Sequence, residues 1–178
     1  MQKHVDKIDL PGLALRHGTA YGDSLAVSVP AIVMAGEPYV VVDQPLMVRL
    51  NVSRTRTGYV MRVRLDTTVR GPCMRCTDPI DVPVLIDQNE VHEPELAEEL
   101  GSDYIDDEQL FDLAGFVCDA VSLSLPATIS GPLEDDGGCS YCLRDKSALA
   151  EMGIVDQSQI EHKDPRWAKL DDLKLESS

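Results

Sequence analysis

Two stretches of the chain alternate apolar and polar side chains with a period of two. Over residues 46–52, Leu46, Val48, Leu50 and Val52 share one face, and Met47, Arg49 and Asn51 share the other. Over residues 59–70, Met61, Val63, Leu65 and Val69 oppose Arg62, Arg64, Asp66 and Arg70. Successive side chains of a strand point to opposite faces, so this pattern predicts half-buried strands. The polar stretch 53–58 between them ends in glycine and predicts an antiparallel hairpin with an arginine-lined outer face. Residues 71–79 (GPCMRCTDP) are a turn by composition. Residues 80–91 return as a third strand, with Val82, Val84 and Ile86 inward and Asp81 and Asp87 outward. Upstream, residues 24–33 are apolar and β-branched but broken by Pro30, which predicts an edge strand. A short apolar run at 39–42 leads into the hairpin.

The period then changes. Leu110, Leu113, Ala114, Val117, Ala120, Val121 and Leu125 recur at helical spacing, and Pro126 stops the run. Asp106 followed three residues later by Gln109 has the form of a capping box. The pattern predicts an amphipathic helix over about 107–123. A shorter helix is expected at 92–101, with Pro94 in its first turn and Gly101 past its end. In the tail, Asp164 caps and Pro165 opens a short helix on which Trp167, Leu170 and Leu173 recur every third residue. The expected fold class is α+β. It is an antiparallel β-meander or partly open barrel packed by one main helix, with a C-terminal cysteine knuckle and a short docking helix. The expected division is a weakly ordered N-terminus (1–22), one domain (23–143) and a tail (144–178).

Charge changes what the sheet can do. The 16 Lys and Arg stand against 31 Asp and Glu, a net charge of −15. That excludes a uniformly nucleic-acid-binding surface, which needs the opposite sign. Aromatic residues are 4% of the chain, too few for a platform that stacks many bases. The charge is also segregated. Residues 44–75 hold seven arginines and one acid, whereas residues 76–143 hold seventeen acids and no Lys or Arg. Such asymmetry implies an electrostatic partner; the alternative is that the two segments neutralise each other or stay solvated. No apolar run approaches the roughly 18 residues that cross a bilayer. The first residues lack an apolar stretch of signal-peptide type. The expected location is the cytoplasm.

Four of the five cysteines form two C-x-x-C pairs, Cys73/Cys76 and Cys139/Cys142. Two thiols three apart on a tight turn grip one metal side by side, and two such turns complete the tetrahedral site that Zn²⁺ prefers. Gly71 and Pro72 precede the first pair, and Gly137 and Gly138 the second. Small neighbours let backbone N–H groups reach the sulfurs. The 62 residues between the pairs leave room for an inserted strand and helix. The expected metal site is structural Zn²⁺ on Cys73, Cys76, Cys139 and Cys142. The alternative is a redox C-x-x-C, which ordinarily wants a βαβ context. Cys118 falls beside the helical stripe and reads as a small buried hydrophobe. No nucleophile–base pair, P-loop or dinucleotide fingerprint is present, and a closed four-thiolate site leaves no position for a metal-bound water. The chain is expected to act without catalysis, with no small-molecule substrate.

The order of these features resembles the YceD family of large ribosomal RNA subunit accumulation proteins. The resemblance rests on the β-rich first half, Cys73-Met-Arg-Cys76 between strands, and the acidic stretch. It continues in the helix closing on Leu123-Ser-Leu-Pro126, in Cys139-Ser-Tyr-Cys142, and in Asp164-Pro-Arg-Trp-Ala-Lys-Leu170. It implies a non-enzymatic role in making or retaining the large-subunit ribosomal RNA. It also implies that Asp164, Pro165, Arg166, Trp167 and Leu170 form a tail motif for partner docking. Two physical routes follow. The acidic stretch holds a basic ribosomal protein before assembly, which the net charge favours. Alternatively, Arg49, Arg62, Arg64 and Arg70 contact phosphates of the large-subunit rRNA precursor. A zinc-stabilised scaffold unrelated to ribosomes, or a redox protein, are the readings from other classes.

Overall fold

The structure, a computed structural model, describes residues 4–94, 97–130, 139 and 148. Its centre is a long antiparallel hairpin. One arm, β6, spans Tyr59–Pro72, and the other, β7, spans Pro79–His92; they pair along their whole length, from Tyr59 opposite His92 to Pro72 opposite Pro79. The 14 residues of β6 alternate without a break between buried and outward positions. A one-residue slip would turn every core side chain to solvent, so the pattern itself pins the register.

The opposite edge of β6 is shared by two strands. β5 (Leu46–Arg54) pairs with its first half, placing Arg49 opposite Arg64 and Arg54 opposite Tyr59. β4 (Glu37–Val41) pairs with its second half, placing Val40 opposite Arg70. β2 (Ala20–Val27) extends the sheet beyond β5, and β3 (Ile32–Met34) extends it beyond β4. The result is an open six-stranded antiparallel sheet. The expected edge strand over 24–33 is thus two strands, parted around Pro30, whose ring removes a ladder donor.

A small second sheet joins β1 (Lys7–Asp9) to β8 (Leu110–Asp112). Helix α1 (Leu113–Ser124) follows directly and packs on β7 and β1. Its buried residues, Leu113, Phe116, Val117, Ala120 and Val121, form one stripe at helical spacing. They close over the inner sheet face, where Leu50, Met61, Val63, Val69 and Val84 are buried. At the junction of β8 and α1, Tyr104 meets Phe116 edge to face with centroids 5.1 Å apart, and Phe111 packs on Phe116 at a tilt with centroids 5.8 Å apart.

Three expectations differ in detail. Part of the stretch 1–22 carries regular structure, namely β1, a 3-10 turn at Pro11–Leu13 and the start of β2. The main helix begins at Leu113 because Leu110–Asp112 is drawn into pairing with β1. Asp106, expected to open the helix, instead accepts the Leu110 N–H at 2.9 Å in the preceding turn. Asp112 takes the capping role and accepts the Gly115 N–H at 2.9 Å. The short helix expected at 92–101 is replaced by the end of β7 and a 3-10 turn at Glu98–Leu100. The docking helix and Cys142 lie outside the described residues. Among the described residues, no helix is long and apolar enough to cross a membrane.

Candidate functional site

The first thiol pair occupies the tip between β6 and β7. Cys73 donates its N–H to the Asp78 carbonyl at 2.8 Å, and its own carbonyl accepts the Thr77 N–H at 2.8 Å. Thr77 sits in the left-handed region at φ 61° and lets the chain reverse. Both thiols are buried. Burial pushes the Cys73 thiol above its ordinary range; backbone N–H groups of Cys76 and Arg75 act on its sulfur in the opposite sense. Those amides are the donors a thiolate on such a turn needs. Arg75 Nη1 is also buried, without a hydrogen-bond partner among the described residues.

Two features fasten this tip to the rest of the molecule. The buried Tyr39 of β4 donates its hydroxyl to the Pro72 carbonyl at 2.6 Å. Its ring fills the space where a Cβ on Gly71 would stand, so glycine there is a packing requirement. Met74 donates its N–H to the Ile129 carbonyl at 2.9 Å, and its sulfur accepts the Ile129 N–H at 3.3 Å. That pair of bonds brings the segment after α1 back to the tip. Cys139 is buried and belongs to the same apolar core as Cys73 and Cys76. Cys73, Cys76 and Cys118 are not in a disulfide. Among the described residues, no group of three or more His, Cys, Asp and Glu side chains is arranged to hold a metal ion. Cys118 is partly buried, and burial raises its pKa.

The four arginines of the expected face all lie on outward positions of β5 and β6, but they are not equivalent. Arg62 grips Asp87 with two hydrogen bonds, 2.7 Å from Nε and 2.6 Å from Nη2. Arg70 grips Asp81 in the same way, at 2.6 Å on both sides. The guanidinium bonds hold both carboxyls below the usual carboxylate range and raise both arginines. Arg64 gives one hydrogen bond, from Nη2 to Asn51 Oδ1 at 3.0 Å, and its Nε is buried with no partner among the described residues. Arg49 stands directly opposite it across the ladder. The two line a shallow cleft with Ser24, Met47 and Leu85.

On the other side of the molecule, acidic side chains crowd around β1, β8 and the outer face of α1. Asp6, Asp9, Asp103, Asp106, Asp107, Glu108 and Asp119 are exposed. The pairing of β1 with β8 brings the first two beside the loop that carries the next four. Lys7 meets Asp106 at 3.2 Å, and Tyr104 donates its hydroxyl to Asp119 at 3.0 Å. That hydrogen bond and, first, burial push the Tyr104 phenol up to about 12.

One residue escaped the reading of the sequence. All four histidines stand in polar segments, yet His92 is buried, and its Nδ1 accepts the Ser102 N–H at 3.1 Å. Its position in step with Val82, Val84 and Ile86 on β7 was the available signal. Burial depresses its pKa.

An outward sheet face of arginines, an acidic flank and a buried thiol tip are carried on an α+β fold. The chain matches the family described as "Large ribosomal RNA subunit accumulation protein YceD" over residues 61–174, from within β6 into the tail. The chain therefore belongs to the YceD family, whose name implies a role in accumulation of the large-subunit ribosomal RNA. No curated protein and no solved structure matches the chain.

Proposed function

We propose that this protein supports large-subunit rRNA accumulation without catalysing a reaction, by holding a basic ribosomal protein on its acidic flank. The observation that carries this reading is the exposed cluster Asp6, Asp9, Asp103, Asp106, Asp107, Glu108 and Asp119, gathered by the β1–β8 pairing. A surface of one sign attracts an opposite partner from a distance and repels bare RNA. Ribosomal proteins that bind rRNA are themselves basic, and a chain of net charge −15 shields such a protein from random RNA until assembly. The test is co-sedimentation with a purified basic large-subunit protein over a salt series. Binding is expected to fall steeply between about 50 and 200 mM salt, as the Debye length shortens through about 10 Å and screens the longer-range attraction. Neutralising Asp103, Asp107 and Glu108 with Asn, Asn and Gln should cut it at least about tenfold. Salt-insensitive binding, or full binding by the triple variant, would overturn this reading.

The thiol tip serves the same reading as structure. In it, Cys73, Cys76, Cys139 and Cys142 hold one Zn²⁺. Support comes from the donor chemistry and from the backbone amides that act on the Cys73 sulfur. The Met74–Ile129 bonds already return the chain toward the tip. The metal then draws the second pair onto the first. Metal analysis should find about one zinc per chain, lost in the Cys73→Ser/Cys76→Ser variant; metal-free protein from zinc-replete expression would overturn it.

A further inference from the structure

The cleft on the outer sheet face is independent of the acidic flank. Like charges directly opposite one another destabilise a strand pair, yet β5 and β6 set Arg49 against Arg64. The neighbouring cations, Arg62 and Arg70, are each clasped by a carboxylate, Asp87 and Asp81, through two hydrogen bonds. Arg49 has no side-chain hydrogen bond or ion pair among the described residues, and the guanidinium of Arg64 uses one donor while its Nε is buried unpartnered. Two under-used guanidiniums on adjacent strands are organised for an anion that is not part of this sheet. A guanidinium fork matches the oxygens of a phosphate.

The surroundings narrow the ligand. The cleft holds about 580 Å³, within the range of roughly 300–1,000 Å³ that single small ligands or groups fill. Leu85 is 78% exposed and Met47 42%, so apolar side chains flank the arginines. The acids beside the two arginines are Asp87, already clasped by Arg62 and also lowered by Arg64, Asp66, and Asp23, which lines the adjoining hollow and accepts the Tyr21 hydroxyl and the Ser24 N–H. An RNA duplex presents regular rows of phosphates and asks for an extended row of available cations. Here the row is broken on both sides by internal ion pairs. A flexible strand places one phosphate between two guanidiniums and rests a base or sugar on the apolar rim. We propose that the Arg49–Arg64 cleft binds a phosphate of single-stranded RNA, so that the protein holds a basic protein on one side and a segment of RNA on the other.

The test uses the full chain and a fluorescein-labelled oligouridine of about 12 nucleotides, with a hairpin duplex and a polyglutamate peptide as competing probes. Fluorescence anisotropy at low salt should show the single strand bound in preference to both. The Arg49→Ala/Arg64→Ala variant should lose at least about tenfold in affinity, and its salt slope should shrink by about 0.7, one phosphate on a single strand. It should fold as well as the parent by circular dichroism, since it removes a like-charge opposition. Arg56→Ala, an exposed arginine in the β5–β6 turn, should leave the affinity and the slope within about twofold. Equal losses in the two variants, unchanged binding by the double variant, or preference for the duplex or the acidic peptide would each overturn the proposal. The same double variant should retain the basic protein, so failure here is separable from failure of the acidic flank.

Discussion

Gly71 and Tyr39 show how one residue sets the geometry of the thiol tip. The tyrosine ring lies against the bare α-carbon of Gly71, and its hydroxyl holds the next carbonyl, that of Pro72, one residue before Cys73. A methyl at position 71 collides with a fully buried ring that has no free space to retreat into. Overpacking of this kind costs about 1–3 kcal/mol. Gly71→Ala is therefore expected to lower the melting temperature by about 2–12 °C for a domain of this size. If the tip is the metal site, the same variant weakens zinc retention against a chelator. Tyr39→Phe keeps the ring and removes only the hydroxyl, so it should cost about 1 kcal/mol and leave zinc retention closer to that of the parent. A Gly71→Ala protein as stable as the parent would remove the packing argument. Nothing local in the sequence announces this pair, because residues 39 and 71 meet only when β4 docks on β6. The cysteines themselves were legible, since their spacing is a local property.

The elements differ in how openly the chain declares them. β5 and β6 alternate inward and outward positions along their length, and β7 does so over residues 79–87, and they form where that pattern lies. The start of α1 was obscured because Leu110 and Leu113 fit a helical stripe equally well as residues of β8 and of α1. What decides between them is a three-residue strand about a hundred positions away, β1, which takes Leu110–Asp112 into its ladder. The arginine face was likewise readable as a face, while its division was not. Arg70 lies directly opposite Asp81, but Arg62 reaches diagonally to Asp87 from its place opposite Asn89, and only the register reveals that. The helix boundary makes a measurable difference. Asp112 caps α1, so Asp112→Ala should destabilise the protein by about 1 kcal/mol. Replacing Asp106, the residue of the expected capping box, removes a turn contact to Leu110 and leaves the cap intact. Equal helix loss in the two variants, followed by hydrogen exchange in the first turn of α1, would contradict the observed boundary.

For the molecule as a whole, acid is the condition that exposes its construction. The buried His92 has a folded pKa below its ordinary 6.5 because burial disfavours the charged ring, with the nearby Glu90 acting in the opposite sense. The unfolded chain therefore binds the proton first. Its contribution is complete above about pH 6.5 and declines as the pH falls from there toward the lower folded value. Asp81 and Asp87 act in a lower window. Their folded pKa values lie below 3.8, so the ion pairs with Arg70 and Arg62 contribute above that pH and are lost as the pH falls through the folded values. Melting temperature measured against pH should show two separate declines, the first beginning near neutrality and the second in strong acid. His92→Asn places an amide oxygen near the Ser102 N–H and removes the titration. It should flatten the first decline and leave the second, whereas Arg70→Ala with Arg62→Ala should flatten the second alone. A first decline that survives His92→Asn would show that another group governs stability there. If the acidic flank is the docking surface, partner binding by the His92→Asn protein should keep the parent's salt dependence, because His92 lies in the core.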